Sequence, residues 1–233
     1  MNIFHLSNRE IGLLIYIAQK HAIDHKVEIT TTEVAKVFNM SQQSASRYLL
    51  KLAAMDFILW ESGPRGSNAQ LTDKGIETLH NLRFELEKAI HPDKTELVLR
   101  GVVFTGFGEG KYYMSQPSYV KSFKKTLGFV PYPGTLNVRI DPNDVEKLDL
   151  IRGSFPKIIT GFKEKGRSFG DVLCYSVKLF DSDEKAAIIV PRRTHYGKNI
   201  AEVVSDINIR GKFNLKDGDE IIIRYSLKKV DKR

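Results

Sequence analysis

The chain has 233 residues, 42% of them hydrophobic, which is enough for one large globular domain or two ordinary ones and excludes a disordered chain or a coiled coil. Its single cysteine, Cys174, excludes an internal disulfide and predicts a small buried residue in a reducing compartment. The N-terminal residues lack the pattern of a signal peptide, and no apolar run approaches the roughly 18 residues that span a bilayer. We therefore expect a cytoplasmic protein without a membrane partner.

The formal net charge of +8 indicates an anionic partner, and the distribution of charge along the chain indicates which part would bind it. Residues 1–95 hold about as many acidic as basic residues, so nearly the whole surplus follows them. The charge of residues 1–95 therefore does not by itself indicate nucleic-acid binding. The basic second part suits a phosphate-rich small molecule or, equally, a surface that lysines keep soluble.

Residues 1–92 predict a winged helix-turn-helix domain. The predicted elements, in chain order, are a helix over 7–21, a short helix that opens at Thr31 or Thr32 and ends at 39–40, a helix over 42–55, a β-hairpin over 56–72 and a long helix that ends at 91–92. Ser7 followed three residues later by Glu10 is a capping box, and Ser41 is a typical N-cap. The hairpin takes the place of the wing.

If the third helix enters the major groove, its first turns must present side chains that reach base edges or phosphates. The candidates are Gln42, Gln43, Ser44 and Arg47 on that helix and Arg65 at the tip of the wing. A winged helix used only for protein contacts would carry the same polar set as an ordinary solvated face. The agreement of helix order, caps, wing and closing helix favours DNA binding, and this half resembles the winged-helix domains of bacterial and archaeal transcription regulators.

After Pro92 the sequence changes to β-branched and aromatic runs separated by Gly, Pro and Asp. The predicted strands fall at 96–106, 134–140, 157–162, 169–180, 186–191 and 219–227, and the predicted helices at 118–127 and 198–204. This order predicts a small β-barrel, with the domain boundary at 91–95 and the second domain over 95–233. The fold class is thus α+β and multidomain.

Three glycines alternate directly after the first of these strands, in the run Thr105-Gly106-Phe107-Gly108-Glu109-Gly110-Lys111. Glycine lets backbone N–H groups turn towards phosphate oxygens, and Lys111 adds positive charge. The run is not a Walker A loop, because Thr105 stands where that loop needs its first glycine and Tyr112 follows the lysine. It does not fit the Rossmann fingerprint either, and a glycine-rich β-turn remains an alternative.

Two further sets of polar residues are candidates for metal binding and catalysis. Thr135 and Asn137 are two residues apart, so on an extended strand they share one face and could complete the shell of a magnesium ion bound to nucleotide phosphates. The alternative is a turn in which they satisfy backbone groups. Arg192, Arg193 and Thr194 precede the predicted helix 198–204, whose Glu202 is a candidate general base.

From about Glu96 to Lys229 the chain resembles the archaeal CTP-dependent riboflavin kinases. The similarity is carried by GFGEGKYY, GFVPYPGTLNVRI, VPRRTHYG and INIRGKFNLKDGD, in this order. A subset of that family carries an N-terminal winged helix and regulates riboflavin genes. The resemblance implies a six-stranded cradle-loop barrel that makes FMN from riboflavin and CTP.

The resemblance also implies roles for residues. The cytidine nucleotide is expected on Gly106, Phe107, Gly108, Glu109, Gly110, Lys111, Ile207, Asn208, Ile209 and Arg210. Magnesium is expected on Thr135 and Asn137, and the flavin on Thr194 and Glu202. Two other functions stay open: a repressor whose barrel senses a flavin or nucleotide without turnover, and a DNA-binding protein whose barrel only mediates a homodimer.

Overall fold

The computed structural model describes residues 5–63, 66–106, 108–164, 167–191 and 197–227, and of Gly66, Glu109 and Glu164 only the backbone. The chain forms two compact units, Met1–Glu85 and Leu86–Arg233. This division falls inside a long helix that ends at Ile90, a few residues before the predicted boundary at 91–95. Within the described ranges, no helix is both long and apolar enough to cross a membrane.

The first unit has the element order of a winged helix. Its elements are α1 (Asn8–Gln19), β1 (Val27–Glu28), α2 (Thr31–Val37), α3 (Gln42–Ala54), β2 (Ile58–Gly63), β3 (Gly66–Leu71) and α4 (Asp73–Ile90), the last of which extends past Glu85. The three strands form one antiparallel sheet in the order β1-β3-β2, so β2 and β3 are the predicted wing.

Local capping explains why these helices begin where they do. The Ser7 N–H donates to Glu10 Oε2 over 2.7 Å, and Ser7 Oγ accepts from the Glu10 N–H, which confirms the capping box. Ser41 caps α3 as predicted. The second helix begins at Thr31, one of the two predicted positions, and Thr30 is its N-cap.

The second unit is a closed barrel with added helices. Its elements are β4 (Glu96–Phe104), α5 (Glu109–Met114), α6 (Pro117–Leu127), β5 (Leu136–Ile140), α7 (Val145–Arg152), β6 (Lys157–Ile159), β7 (Phe162–Glu164), β8 (Arg167–Phe169), β9 (Val172–Leu179), β10 (Ala186–Pro191), β11 (Ile200–Ser205), α8 (Ile209–Phe213) and β12 (Glu220–Ser226). Six strands pair in the order β10-β11-β5-β4-β12-β9, and β9 returns to β10 to close the ring. All six pairings are antiparallel, as the predicted six-stranded barrel requires.

Two predicted elements differ from the structure: the strand predicted over 157–162 is divided into β6 and β7, and residues 198–204 do not form a helix. Strand β11 (Ile200–Ser205) takes the place of that helix and pairs with β10 on one side and β5 on the other. Lys, Ala and Glu give this segment local helix propensity, but Ile200, Val203 and Val204 suit a strand with hydrogen-bonded neighbours on both sides. The short helices α5, α7 and α8 were not predicted.

Apolar side chains fill the barrel and also cover part of its wall. Buried residues from adjacent strands, such as Leu99, Val138 and Val203, form the interior. A second cluster packs α5 and α6 against β9 and β10, and Cys174 belongs to it. The prediction of a small buried residue is thus confirmed, and burial raises the pKa of this thiol to about 12.

Candidate active site and DNA-binding surface

A row of paired residues across three strands forms the centre of the candidate active site. Phe104 at the end of β4 pairs with Asn137 on β5, and Asn137 pairs with Glu202 on β11. Residues directly opposite each other in antiparallel strands lie on the same face of the sheet. The structure therefore makes Asn137 and Glu202 neighbours, although Glu202 was predicted on a helix.

The side chain of Asn137 has a buried oxygen without a hydrogen bond, a state that it shares with a few other buried polar atoms of the described chain, such as Asn81 Oδ1. Asn137 is 7% exposed, and within the described part of the chain its Oδ1 has no partner. A buried polar atom left in this state costs about 1–3 kcal/mol. A cation would satisfy this oxygen, and Thr135, half-buried two residues earlier, adds a second neutral one. The pair fits magnesium that takes its remaining ligands from phosphate and water.

The glycine run lies against Thr135. It begins after β4 and continues into α5, so Glu109, Gly110 and Lys111 belong to a helix rather than to the predicted loop. Gly108 has φ +80°, a conformation that glycine adopts at little cost. A Cβ on Gly110 would lie 2.4 Å from Thr135 Oγ1, which shows how closely the two segments approach.

The second predicted nucleotide segment, residues 207–210, opens α8. Asn208 Oδ1 accepts from the Gly211 N–H over 3.1 Å, and Ile209 is buried, so both side chains have structural tasks. Arg210 pairs with Asp217, a residue to which the sequence alone assigned no role, over 2.7 Å. In the sequence, Asp217 stood out only as a member of the run INIRGKFNLKDGD, which carries part of the family resemblance.

Aromatic residues connect α5 to the β7–β8 hairpin, and the sequence did not predict this contact either. Arg167 Nη1 donates to the Tyr112 hydroxyl over 2.9 Å. The Tyr113 ring meets Phe169 edge-on at 6.2 Å, and Phe169 stacks on Phe162 at 4.6 Å. The hairpin thus holds the helix that carries Gly110 and Lys111.

Several predicted residues lie outside the described ranges. They are Arg65 at the wing tip, Phe107 in the glycine run, and Arg192, Arg193 and Thr194 between β10 and β11. The side chain of Glu109 belongs with them. Their roles stay predictions.

The candidate DNA-binding surface is an open cleft of about 700 Å³ along α3. It is lined by Thr31, Gln42, Gln43, Ser44, Ser46, Arg47 and Leu50. Gln42 Nε2 donates to Thr31 Oγ1 over 3.0 Å, and Ser41 Oγ and Ser44 Oγ lie 3.0 Å apart, so these candidates contact their own domain. Gln43 and Arg47 are both exposed and, four residues apart, share one face of the helix.

The second unit is a closed barrel in which a glycine run approaches Thr135, two residues before the buried Asn137 oxygen, and the first unit is a winged helix. Together they define a candidate phosphate- and metal-binding enzyme that carries a domain of the DNA-binding type. Residues 103–225 match the family profile CTP-dep_RFKase, described as domain of unknown function DUF120. The chain therefore belongs to the CTP-dependent riboflavin kinase family, which confirms the resemblance.

Curated relatives agree over nearly the whole chain. A riboflavin kinase of Thermoplasma volcanium is 36% identical over 202 residues, which cover 87% of this chain and 90% of that protein. A riboflavin kinase of Pyrococcus furiosus is 36% identical over 220 residues, 94% of this chain and 99% of that one. A solved structure of MepR, a transcription regulator of Staphylococcus aureus, covers 40% of this chain and 68% of its own at 20% identity and a TM-score of 0.32.

Proposed function

We propose that the domain of residues 95–233 phosphorylates riboflavin to FMN with CTP and magnesium, and that the domain of residues 1–92 binds DNA to regulate genes of riboflavin biosynthesis or transport. The observation that supports the enzymatic part is the cross-strand pair of Asn137 and Glu202, in which the Asn137 oxygen is unpaired and lies two residues after Thr135, the residue that Gly110 approaches. Location in the cytoplasm is part of the same proposal.

Phosphoryl transfer depends mainly on positioning and on neutralising charge. The nucleotide would lie between the run from Gly106 to Lys111 and the segment from Ile207 to Arg210, and Lys111 and Arg210 supply positive charge. Thr135 and Asn137 would hold magnesium, which when bound neutralises charge on the phosphates. Thr194 and Glu202 would contact riboflavin.

Glu202 is proposed as the general base. The riboflavin 5′-hydroxyl oxygen forms a bond to the γ-phosphorus while the bond from that phosphorus to the bridging oxygen of CTP breaks, and CDP leaves. The hydroxyl proton passes to the Glu202 carboxylate. Its pairing opposite Asn137 supports this role, because the two residues share one face of the sheet.

The direct test is to incubate the purified chain with riboflavin, magnesium and each nucleoside triphosphate in turn, and to detect FMN by chromatography with fluorescence. We expect FMN and CDP in equal amounts with CTP. Binding of riboflavin without any FMN would favour the non-catalytic sensor instead.

Asn137→Ala and Thr135→Ala should each raise the magnesium concentration needed for half-maximal FMN formation about tenfold, because each removes one polar metal contact. High magnesium should restore part of the rate. Asn143→Ala, an exposed amide on the turn after β5, serves as the matched control. Indifference of both variants to magnesium and to chelator would refute the metal assignment.

The domain of residues 95–233 should work alone. A fragment from Lys94 to Arg233 keeps the Thr95 carbonyl, which accepts from the Leu227 N–H over 2.9 Å beside the β4–β12 pair. We expect a folded fragment with the full chain's kcat. An insoluble or inactive fragment, beside an active full chain, would show that the barrel needs the winged helix.

DNA binding is proposed through Gln43 and Arg47 of α3, with a homodimer supplying two recognition helices. Gln43→Ala or Arg47→Ala should weaken binding to DNA upstream of a riboflavin gene about tenfold and leave FMN formation unchanged. Arg65→Ala should mainly reduce the salt dependence of binding. Anisotropy titrations at two salt concentrations, with Arg83→Ala as control, measure this. No preference of the wild type for that DNA over random sequence, with or without FMN, removes this half of the proposal.

A further inference from the structure

Asp217 lies between the two segments proposed to bind the nucleotide. Its Oδ2 accepts from the Thr105 backbone N–H over 3.0 Å, and its Oδ1 accepts from Arg210 Nη2 over 2.7 Å. Thr105 directly precedes the glycine run, and Arg210 ends the segment of residues 207–210. One carboxylate therefore joins two parts of the chain that are about a hundred residues apart.

The turn that carries Asp217 is fixed by bonds that do not involve its side chain. The Gly218 N–H donates to the Val103 carbonyl over 2.9 Å, and the Val103 N–H donates to the Asp219 carbonyl over 2.9 Å. Asp219 also accepts from the Lys216 N–H over 2.7 Å. A change of the Asp217 side chain consequently leaves the turn attached to β4.

The pair of Asp217 and Arg210 has little weight as a stabilising contact. The two side chains are 51% and 33% exposed, and ion pairs of this kind add little to the free energy of unfolding. Hydrogen bonds from Thr105 and from Arg210 lower the pKa of Asp217, so the carboxylate is charged at neutral pH. The pair instead orients the guanidinium of Arg210, a group well suited to bind phosphate oxygens.

We propose that Asp217 is a positioning residue for the nucleotide: it fixes Arg210 and the Thr105 amide, which leads into the glycine run, in the arrangement that binds the phosphates. This inference rests on the proposed function. It predicts the direction in which CTP affinity changes when Asp217 is removed. A carboxylate that only repelled phosphates would weaken CTP binding, so its removal would tighten it, whereas a carboxylate that orients the phosphate-binding groups strengthens CTP binding.

The test measures CTP binding to the full chain by calorimetry with magnesium, together with steady-state kinetics in which CTP and riboflavin are varied separately. Asp217→Ala should raise the Kd and KM for CTP about tenfold, and Asp217→Asn about threefold, because asparagine keeps an acceptor for the Thr105 amide. The KM for riboflavin should not change, and kcat should stay within about twofold of the wild type. Asp183→Asn, which removes the exposed pair with Lys178, is the control and should match the wild type.

Unchanged or tighter CTP binding in both Asp217 variants would overturn the inference, as would an equal rise in the KM for riboflavin. A wild type that binds CTP but forms no FMN would remove the proposed function alone, and the binding series would still decide the role of Asp217. A wild type that binds no CTP would remove both.

Discussion

Glu202→Gln is expected to lower kcat for FMN formation by a factor of about 10² to 10⁴, the range typical for loss of a general base. Glutamine has the same shape, so the pairing of β11 with β5 and β10 should survive. The amide cannot accept the proton of the riboflavin hydroxyl. The KM values for CTP and riboflavin should change much less than kcat, because the defect lies in the chemical step.

The measurement is single-turnover and steady-state formation of FMN, with riboflavin binding followed separately by fluorescence. Glu220→Gln, an exposed carboxylate at the start of β12, controls for the loss of one negative charge. If Glu202→Gln kept more than about a tenth of the wild-type kcat, the base would have to be another group.

Gly110→Ala is expected to lower kcat/KM about a hundredfold. Gly110 lies in α5 without a positive φ, so the backbone accepts alanine, but the added Cβ would stand 2.4 Å from Thr135 Oγ1 and 2.9 Å from its Cγ2. Either Thr135 or the glycine run must move, and a shift of about 1 Å in a positioned group costs about 10²-fold in rate. Overpacking should lower the free energy of unfolding by about 1–3 kcal/mol.

Kinetics of FMN formation and thermal unfolding of the same samples separate the two effects. Gly170→Ala is the matched control, because nothing lies within 4 Å of a Cβ added there. Activity close to the wild type in Gly110→Ala would mean that the contact with Thr135 does not set the geometry of the site.

Features determined by neighbouring residues could be predicted from the sequence. The capping box of Ser7 and Glu10 and the cap at Ser41 depend on positions three residues apart. The placement of Thr135 and Asn137 on one strand face stays a prediction, because Asn137 lies in β5 whereas Thr135 precedes the first residue of that strand. The error at 198–204 has the opposite cause, because β11 is a strand through its pairing with β5, some 60 residues earlier in the chain.

The parts of the site that the sequence did not predict depend on distant contacts. The approach of Gly110 to Thr135 and the pairing of Asn137 with Glu202 exist only once the barrel is closed. The contacts of Asp217 also depend on the complete fold, because Thr105 and Arg210 come from two different parts of the chain. No local pattern distinguishes this aspartate from the solvent-exposed charges around it.

The pairing of β4 with β12 has a consequence for how the protein folds during its synthesis. One edge of the first barrel strand pairs with β5, but the other edge finds its partner only in the last strand, since Glu96 pairs with Ser226 and Val102 with Glu220. Contacts so far apart in the chain form slowly, and domains fold one after another as they leave the ribosome. The winged helix can fold while translation continues, whereas β4 must wait with an open edge until the final residues emerge. We expect a nascent chain released before β12 to lack kinase activity and to aggregate through that edge.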